Sequence, residues 1–188
     1  MNIEKVNDFW VPTKGISFMQ DKCLKSFLKY CSSQNKKFKR VLDIGAWCGA
    51  CSIIMEKHIM AIDAFEPDKT HFACLEKNVA RFSDRIKSNR VAIGDKDCLI
   101  SLTDERRIPM HTVDHFNYSD VDFIKIDVDG DEMRVLEGAK KTITFNDENQ
   151  SNVQYIMIEL NHNTEKYIMS LGFKVLINIQ PGIVYYRP

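Results

Sequence analysis

Arg40-Val-Leu-Asp-Ile-Gly-Ala-Trp-Cys-Gly49 is a short apolar run stopped by glycine, the pattern of a buried strand that runs into a tight turn. A helix should follow over roughly Ala50 to Lys57, and the next apolar run, Met60 to Phe65, reads as a second buried strand. Glu66-Pro67-Asp68 then opens a helix, with proline supplying the φ of a first turn and Asp68 a capping carboxylate. Phe72, Leu75, Val79 and Phe82 keep helical period after it. Further along, the spacing predicts a strand near Arg90 to Ile93, a β-rich insertion from Cys98 to Asp114, and a strong strand from Val121 to Val128. A helix over Glu132 to Lys141, begun by an Asp129/Glu132 capping box, and a strand over Tyr155 to Leu160 come next. Asn163 or Thr164 can cap a helix ending at Leu171-Gly172, and Phe173 to Ile179 with Ile183 to Tyr186 form a closing hairpin. Upstream, Leu24, Phe27, Leu28 and Cys31 mark one face of a helix over Asp21 to Tyr30. Alternating strands and helices imply an α/β fold: a Rossmann-like doubly wound sheet of about seven strands, mostly parallel with an antiparallel C-terminal pair, and helices on both faces. No linker or repeat divides the 188 residues, so one domain is expected, with 1–39 a helical N-terminal segment and 40–188 the core.

Composition narrows the function. Twenty-six Lys plus Arg balance 26 Asp plus Glu, which removes the electrostatic basis of non-specific nucleic-acid binding, so no nucleic-acid partner is expected. No apolar run approaches membrane-spanning or signal-peptide length, which makes a cytoplasmic protein without a membrane partner the expectation. Six cysteines in that compartment read as reduced thiols.

In a doubly wound sheet, ligands bind beyond the carboxyl ends of the strands where the winding reverses. Gly45 and Gly49 let backbone approach a ligand there, and Glu66 stands 21 residues beyond Gly45, the distance at which an acidic side chain meets ribose hydroxyls. An adenosine-type cofactor follows. The dinucleotide pattern G-x-G-x-x-G is absent, which disfavours NAD against S-adenosylmethionine. A second cluster, Lys125-Ile-Asp127-Val-Asp129-Gly130, places Lys125 inside an apolar strand. A buried ammonium needs a carboxylate, and Asp127 or Glu159 are the candidates.

At this point the sequence resembles a known family. Val41-Leu-Asp43-Ile-Gly45-Ala-Trp-Cys-Gly49, Ala64-Phe65-Glu66-Pro67, Val91-Ala-Ile-Gly94-Asp95, Thr112-Val-Asp114, Ile124-Lys125-Ile-Asp127-Val-Asp129-Gly130, Leu136-Glu-Gly138-Ala139 and Ile156-Met-Ile-Glu159 stand in the order and spacing of FkbM-type methyltransferases. The resemblance runs from about Val41 to Leu160 and implies S-adenosyl-L-methionine as cofactor and O-methylation of a hydroxyl on a sugar, glycan or other polyhydroxylated small molecule. It further implies that Asp43, Gly45, Ala46 and Gly49 line the methionine and ribose side, that Glu66 with Pro67 holds the ribose hydroxyls, and that Ile93 flanks the adenine. Asp127 would lie near the cofactor's amino group and the reacting methyl. Asp129 replaces the family's usual glutamate, and Trp47-Cys48 replaces a small or polar pair.

An alcohol needs to lose its proton to react, so a carboxylate or neutral imidazole is the expected base, with Asp127, Glu159, His111 and His162 as candidates and Lys125 holding the carboxylates in place. A lysine of depressed pKa could also assist. Asp127, Glu159 and Asn161 offer oxygen ligands suited to Mg²⁺, but a divalent cation is not required and no metal site is assigned. Two rivals remain. Trp47-Cys48-Gly49-Ala50-Cys51 has the form of a thioredoxin-like redox site using Cys48 and Cys51, and the domain could bind an adenosyl ligand without catalysis. His58, His71 and His115 read as solvent-facing, and Phe9-Trp10-Val-Pro12 either folds over the cofactor or only packs.

Overall fold

The computed structural model describes residues 3–6, 8–13, 22–102, 105–144, 152–159 and 162–188. An N-terminal hairpin, β1 (Ile3–Val6) and β2 (Phe9–Pro12), precedes α1 (Lys22–Ser33). The expectation of a purely helical segment over 1–39 is therefore corrected. Each hairpin strand has only four residues, too short for alternation to stand out. The central sheet has the order β11-β12-β10-β9-β3-β4-β5. Its members are β3 (Phe38–Ile44), β4 (Ile59–Phe65), β5 (Ile86–Asn89), β9 (Val121–Ile126), β10 (Tyr155–Glu159), β11 (Lys174–Ile179) and β12 (Gly182–Tyr186). Strands β10, β9, β3, β4 and β5 are parallel, and β12 joins β10 and β11 antiparallel. The expected seven-stranded, doubly wound sheet with an antiparallel C-terminal pair is present.

Alternation along the strands fills two cores. Val41, Phe123, Tyr155 and Met157 face α1 and α2 (Ala50–Met55), and Phe27 of α1 lies 5.0 Å from the Phe123 ring. Leu42, Ile44, Ile124, Ile126, Ile156 and Ile158 face the opposite way, onto Val135 and Leu136 of α4 (Glu132–Gly138), Ile143 of α5 (Lys140–Ile143) and Ile168 of α6 (His162–Ser170). Burial on both faces is why these strands read as largely apolar runs, broken at Asp43 and Lys125.

Several boundaries differ from the sequence reading. The strand placed at Arg90 to Ile93 is two elements: β5 in the main sheet, whose Lys87 and polar neighbours hide it, and β6 (Ala92–Ile93) in a small sheet. That sheet, β6-β8-β7, also holds β7 (Cys98–Leu102) and β8 (Glu105–His111), the expected β-rich insertion. The Asp129/Glu132 capping box is absent. Asp131 occupies the cap position of α4, and Glu132 Oε1 instead accepts from the Gly130 N–H at 3.0 Å and the Val128 N–H at 3.3 Å. Asn163 and Thr164 lie inside α6, not ahead of it. Asp68, by contrast, caps α3 (Lys69–Phe82) as expected, accepting from the Thr70 and His71 amides.

Chain order locates the crevice. From β3 the chain moves outward through β4 to β5, then returns to the other side of β3 as β9 and β10. The winding reverses between β3 and β9, so the carboxyl ends of those strands form the ligand position of such a sheet.

Gly138 shows how closely α4 packs: a Cβ there would stand 1.9 Å from the Gly94 carbonyl oxygen. Gly138→Ala should destabilise the protein by about 1–3 kcal/mol, lowering the thermal midpoint by roughly 2–12 °C. An unchanged midpoint in a calorimetric scan would contradict this packing.

Candidate active site

Strand β3 ends in a loop built on left-handed backbone. Gly45 and Gly49 have φ of +78° and +83°, and Trp47, a bulky residue, has φ +49°. A Cβ on Gly45 would lie 1.8 Å from the Asp127 carbonyl oxygen, so glycine is required by both conformation and space. The Gly45 and Ala46 amides donate to the Phe65 carbonyl at 3.0 and 2.9 Å, and the Asp127 amide donates to the Ile44 carbonyl at 3.0 Å. The ends of β3, β4 and β9 are thus bound directly to one another.

Glu66 holds this loop. It is buried, 6% exposed, and its Oε2 accepts from the Trp47 N–H at 2.9 Å while Oε1 accepts from the Asp68 N–H at 2.9 Å. Two amides fill about half of the roughly four lone-pair positions of a carboxylate, leaving acceptor capacity for the paired hydroxyls of a ribose. His71, read from sequence as solvent-facing, is instead 3.7 Å from Glu66 and edge-on to the Trp47 ring. The Glu66 carboxylate raises its pKa above the ordinary value, overcoming a partial burial that would lower it. The signal was available: a helix capped at Asp68 turns its third following residue back toward the preceding carboxylate.

Beneath the loop lies Lys125, 2% exposed on β9, with Asp43 directly opposite on β3. Its Nζ is 3.3 Å from Asp43 Oδ1 and 3.3 Å from Asp127 Oδ2. Asp127 is one of the two partners expected; the other is Asp43 and not Glu159, because β3, like β10, neighbours β9 but has its acid in register with the lysine. Burial alone would lower the Lys125 pKa, yet the Asp43 and Asp127 carboxylates outweigh it and hold the group above its ordinary range. Two carboxylates at 3.3 Å favour the charged ammonium, the opposite of the depressed-pKa role. Asp43 is fully buried, with Oδ2 accepting from the Ser52 hydroxyl at 2.5 Å, so it supports the loop from below and does not line the crevice. Asp127 is different: its side chain is 37% exposed at the strand end.

Glu159 ends β10 on the same edge of the sheet, exposed, its pKa raised by partial desolvation and by the Asp127, Glu132 and Asp129 carboxylates. Ala46 and Ile93 are buried and Pro67 half-buried. His162 is exposed at the start of α6, and Asn161 lies outside the described residues, as does Leu160. His111 makes its polar contact with Asp97, at 3.3 Å, and stacks on His115, which ties it to a cluster on the small sheet.

Asn78 is a site residue that the sequence reading passed over. Fully buried on α3, its amide donates to the Cys48 carbonyl at 2.8 Å and to the Trp10 carbonyl at 2.9 Å, and its Oδ1 accepts from the Trp10 N–H at 2.8 Å. One side chain fastens the glycine loop to the N-terminal hairpin. Its place among Cys74, Leu75 and Val79 on the buried helical face was the available signal. The thioredoxin-like reading finds no support. Cys48 and Cys51 are both buried, and burial pushes the Cys48 thiol well above its usual range, the reverse of what a reactive thiolate needs.

Lys125→Met would leave the buried Asp43 charge without its cation. It should destabilise the fold by about 3–5 kcal/mol, and adding Asp43→Asn should recover part of that loss. Purely additive effects of the two substitutions in denaturant unfolding would contradict the ion pair.

With this geometry in hand, comparison with known proteins is informative. The family described as the methyltransferase FkbM domain matches residues 55–175. No curated protein sequence matches the chain. Among solved structures, the FkbM methyltransferase of Methylobacillus flagellatus KT superimposes with a TM-score of 0.62 at 20% identity, over 79% of this chain and 43% of that one. The chain therefore spans less than half the length of that relative. Precorrin-6y C5,15-methyltransferase of Geobacter metallireducens GS-15 gives 0.62 at 13% identity, over 96% and 95%. Sp1610 of Streptococcus pneumoniae, solved in complex with S-adenosyl-L-methionine, gives 0.54 at 13% identity, over 86% and 72%. These similarities establish the Rossmann-like methyltransferase fold, and the family match over residues 55–175, more than half of the chain, makes this chain a member of the FkbM methyltransferase family.

Proposed function

We propose that this protein is an S-adenosylmethionine-dependent methyltransferase that methylates a hydroxyl of a sugar or other polyhydroxylated small molecule. The observation that carries the reading is Glu66, a buried carboxylate held by two backbone amides at the carboxyl end of β4 with acceptor capacity remaining. Family membership supplies the reaction class, and the likeness to FkbM-type O-methyltransferases supplies the hydroxyl acceptor. S-adenosylmethionine would supply a methyl group on a positively charged sulfur, whose charge disperses as the methyl leaves.

The residues present suit that ligand. Glu66 would accept from the ribose hydroxyls, and the half-exposed Asp127 carboxylate would meet the cationic amino end. Glycine at 45 lets the loop pack directly against the Asp127 backbone at the end of β9. Alignment of acceptor and methyl is the main contribution such a site makes, worth several kcal/mol. Glu159, exposed at the carboxyl end of β10 on the same side of the sheet as Asp127, is the carboxylate we assign to take the hydroxyl proton; partial desolvation and the neighbouring carboxylates raise its pKa. Lys125 is a positioning residue that fixes Asp127 through its charge. No step requires a divalent cation at Asp127 and Glu159.

Thermal unfolding of the reduced protein with S-adenosylhomocysteine tests the cofactor. At about 100 times its Kd the ligand should add roughly 2.7 kcal/mol and raise the midpoint by about 5–11 °C. Glu66→Gln, which keeps the shape and loses the charge, should weaken binding by about 10- to 100-fold. No shift at millimolar ligand would overturn the cofactor assignment. Unchanged affinity in a folded Glu66→Gln variant would overturn the ribose anchor, and binding without transfer to any acceptor would leave a non-catalytic adenosyl-binding domain.

A further inference from the structure

The small sheet carries a second cluster of chemistry-bearing side chains that the methyltransferase reading does not use. His111, at the end of β8, and His115, in the 3₁₀ turn Asp114–Phe116, stack with ring centroids 4.1 Å apart and an interplanar angle of 22°. Both turn the same ring nitrogen, Nδ1, toward one carboxylate. His111 Nδ1 is 3.3 Å from Asp97 Oδ1, and His115 Nδ1 is 2.7 Å from Asp97 Oδ2. One ligand atom from each of the three residues lies within 4.8 Å of the others.

We propose that Asp97, His111 and His115 form a binding site for a divalent first-row transition ion, Zn²⁺ foremost. Two imidazoles and one carboxylate are a borderline donor set that suits Zn²⁺ and disfavours Mg²⁺ and Ca²⁺, which take oxygen ligands. Tetrahedral bonds of about 2.0–2.1 Å put neighbouring ligand atoms about 3.3–3.4 Å apart. The His111 Nδ1 to Asp97 Oδ1 separation already has that value, whereas His115 Nδ1 meets the other oxygen, Oδ2, at 2.7 Å, so the carboxylate and the His115 ring must shift for all three to meet one ion. The ligands are pre-placed by backbone. Asp97 Oδ1 also accepts from the Thr112 N–H at 3.0 Å, the Gly94 N–H donates to the His111 carbonyl at 3.0 Å, and the His115 N–H donates to Thr112 Oγ1 at 3.0 Å. The spacing His111-Thr-Val-Asp-His115 is the H-x₃-H of zinc sites. An ion bound to both Nδ1 atoms takes neutral imidazoles as ligands, each with its N–H on Nε2.

All three side chains are between 31% and 48% exposed, so an ion there keeps at least one position open to water. Its structural effect would be to tie the insertion to the 3₁₀ turn whose Phe116 packs 5.3 Å from Phe65, the residue before Glu66. The site stands independently of the proposed methyl transfer.

Calorimetric titration of the untagged, reduced protein with ZnCl₂ should show one ion per chain, with a raised thermal midpoint. Co²⁺ in its place should give visible d–d absorption without thiolate charge-transfer bands. His115→Ala and Asp97→Asn, both at exposed positions, should fold and bind at least roughly 100-fold more weakly, since even indirect supports of a metal site typically cost 10- to 100-fold. No binding at micromolar Zn²⁺, equal affinity in the folded His115→Ala protein, or thiolate bands with Co²⁺ would each overturn the proposal. Affinity for S-adenosylhomocysteine, measured separately, leaves this result unaffected.

Discussion

An ammonium in the middle of a seven-stranded sheet must be met by negative charge, and the crevice is organised around how that is done. Lys125 has Asp43 beside it on β3 and Met157 on β10, so only one flanking strand offers an acid in register. The second acid, Asp127, comes from just beyond the end of its own strand. The pair is worth little as net stability, because desolvating both ions offsets most of their attraction. Its consequence is specificity: Asp43 is drawn down into the core while Asp127 stays at the surface with one oxygen committed to the lysine. Two aspartates that look alike in sequence thereby acquire different tasks.

Above that ion pair, the loop is held by unusual backbone. Gly45, Trp47, Gly49, Asp129 and Gly130 all have positive φ and all lie at the ends of β3 and β9 or in the turns that follow. For Trp47 and Asp129 such conformations cost about 1–3 kcal/mol and persist only when surrounding bonds fix them. At Trp47 the fixing bond is its amide to Glu66; beyond Asp129 it is the Gly130 amide to Glu132. Carboxylates thus shape both turns that border the crevice, and strain collects where a ligand would sit. Asn78 extends the arrangement by joining the loop to the N-terminal hairpin, whose Trp10 ring also lies under the Lys77 ammonium at 4.2 Å.

The sheet was legible because its strands are buried on both faces, which leaves Tyr155 to Ile158 apolar throughout and Val121 to Ile126 apolar except at Asp122 and Lys125. Strand β5 was not, since Ile86-Lys-Ser-Asn89 is a polar edge with a single buried side chain. Glu66, Lys125 and Asp127 could be picked out because spacing or anomaly marks them. The Asp43 partnership could not, because it depends on the register between two strands that pairs Asp43 with Lys125, far apart in the chain. His111 and His115 were read one at a time, one as a candidate base and one as solvated; only the fold of the small sheet brings them to Asp97. Their four-residue spacing was visible, but without Asp97 beside them it carried no chemistry.

A crystal structure of the protein with S-adenosylhomocysteine tests the central claim most directly. The account predicts the ribose hydroxyls on Glu66, the amino end at Asp127, and the Lys125 to Asp43 pair intact beneath. Ligand density away from the ends of β3, β4 and β9, or a ribose that makes no contact with Glu66, would contradict it.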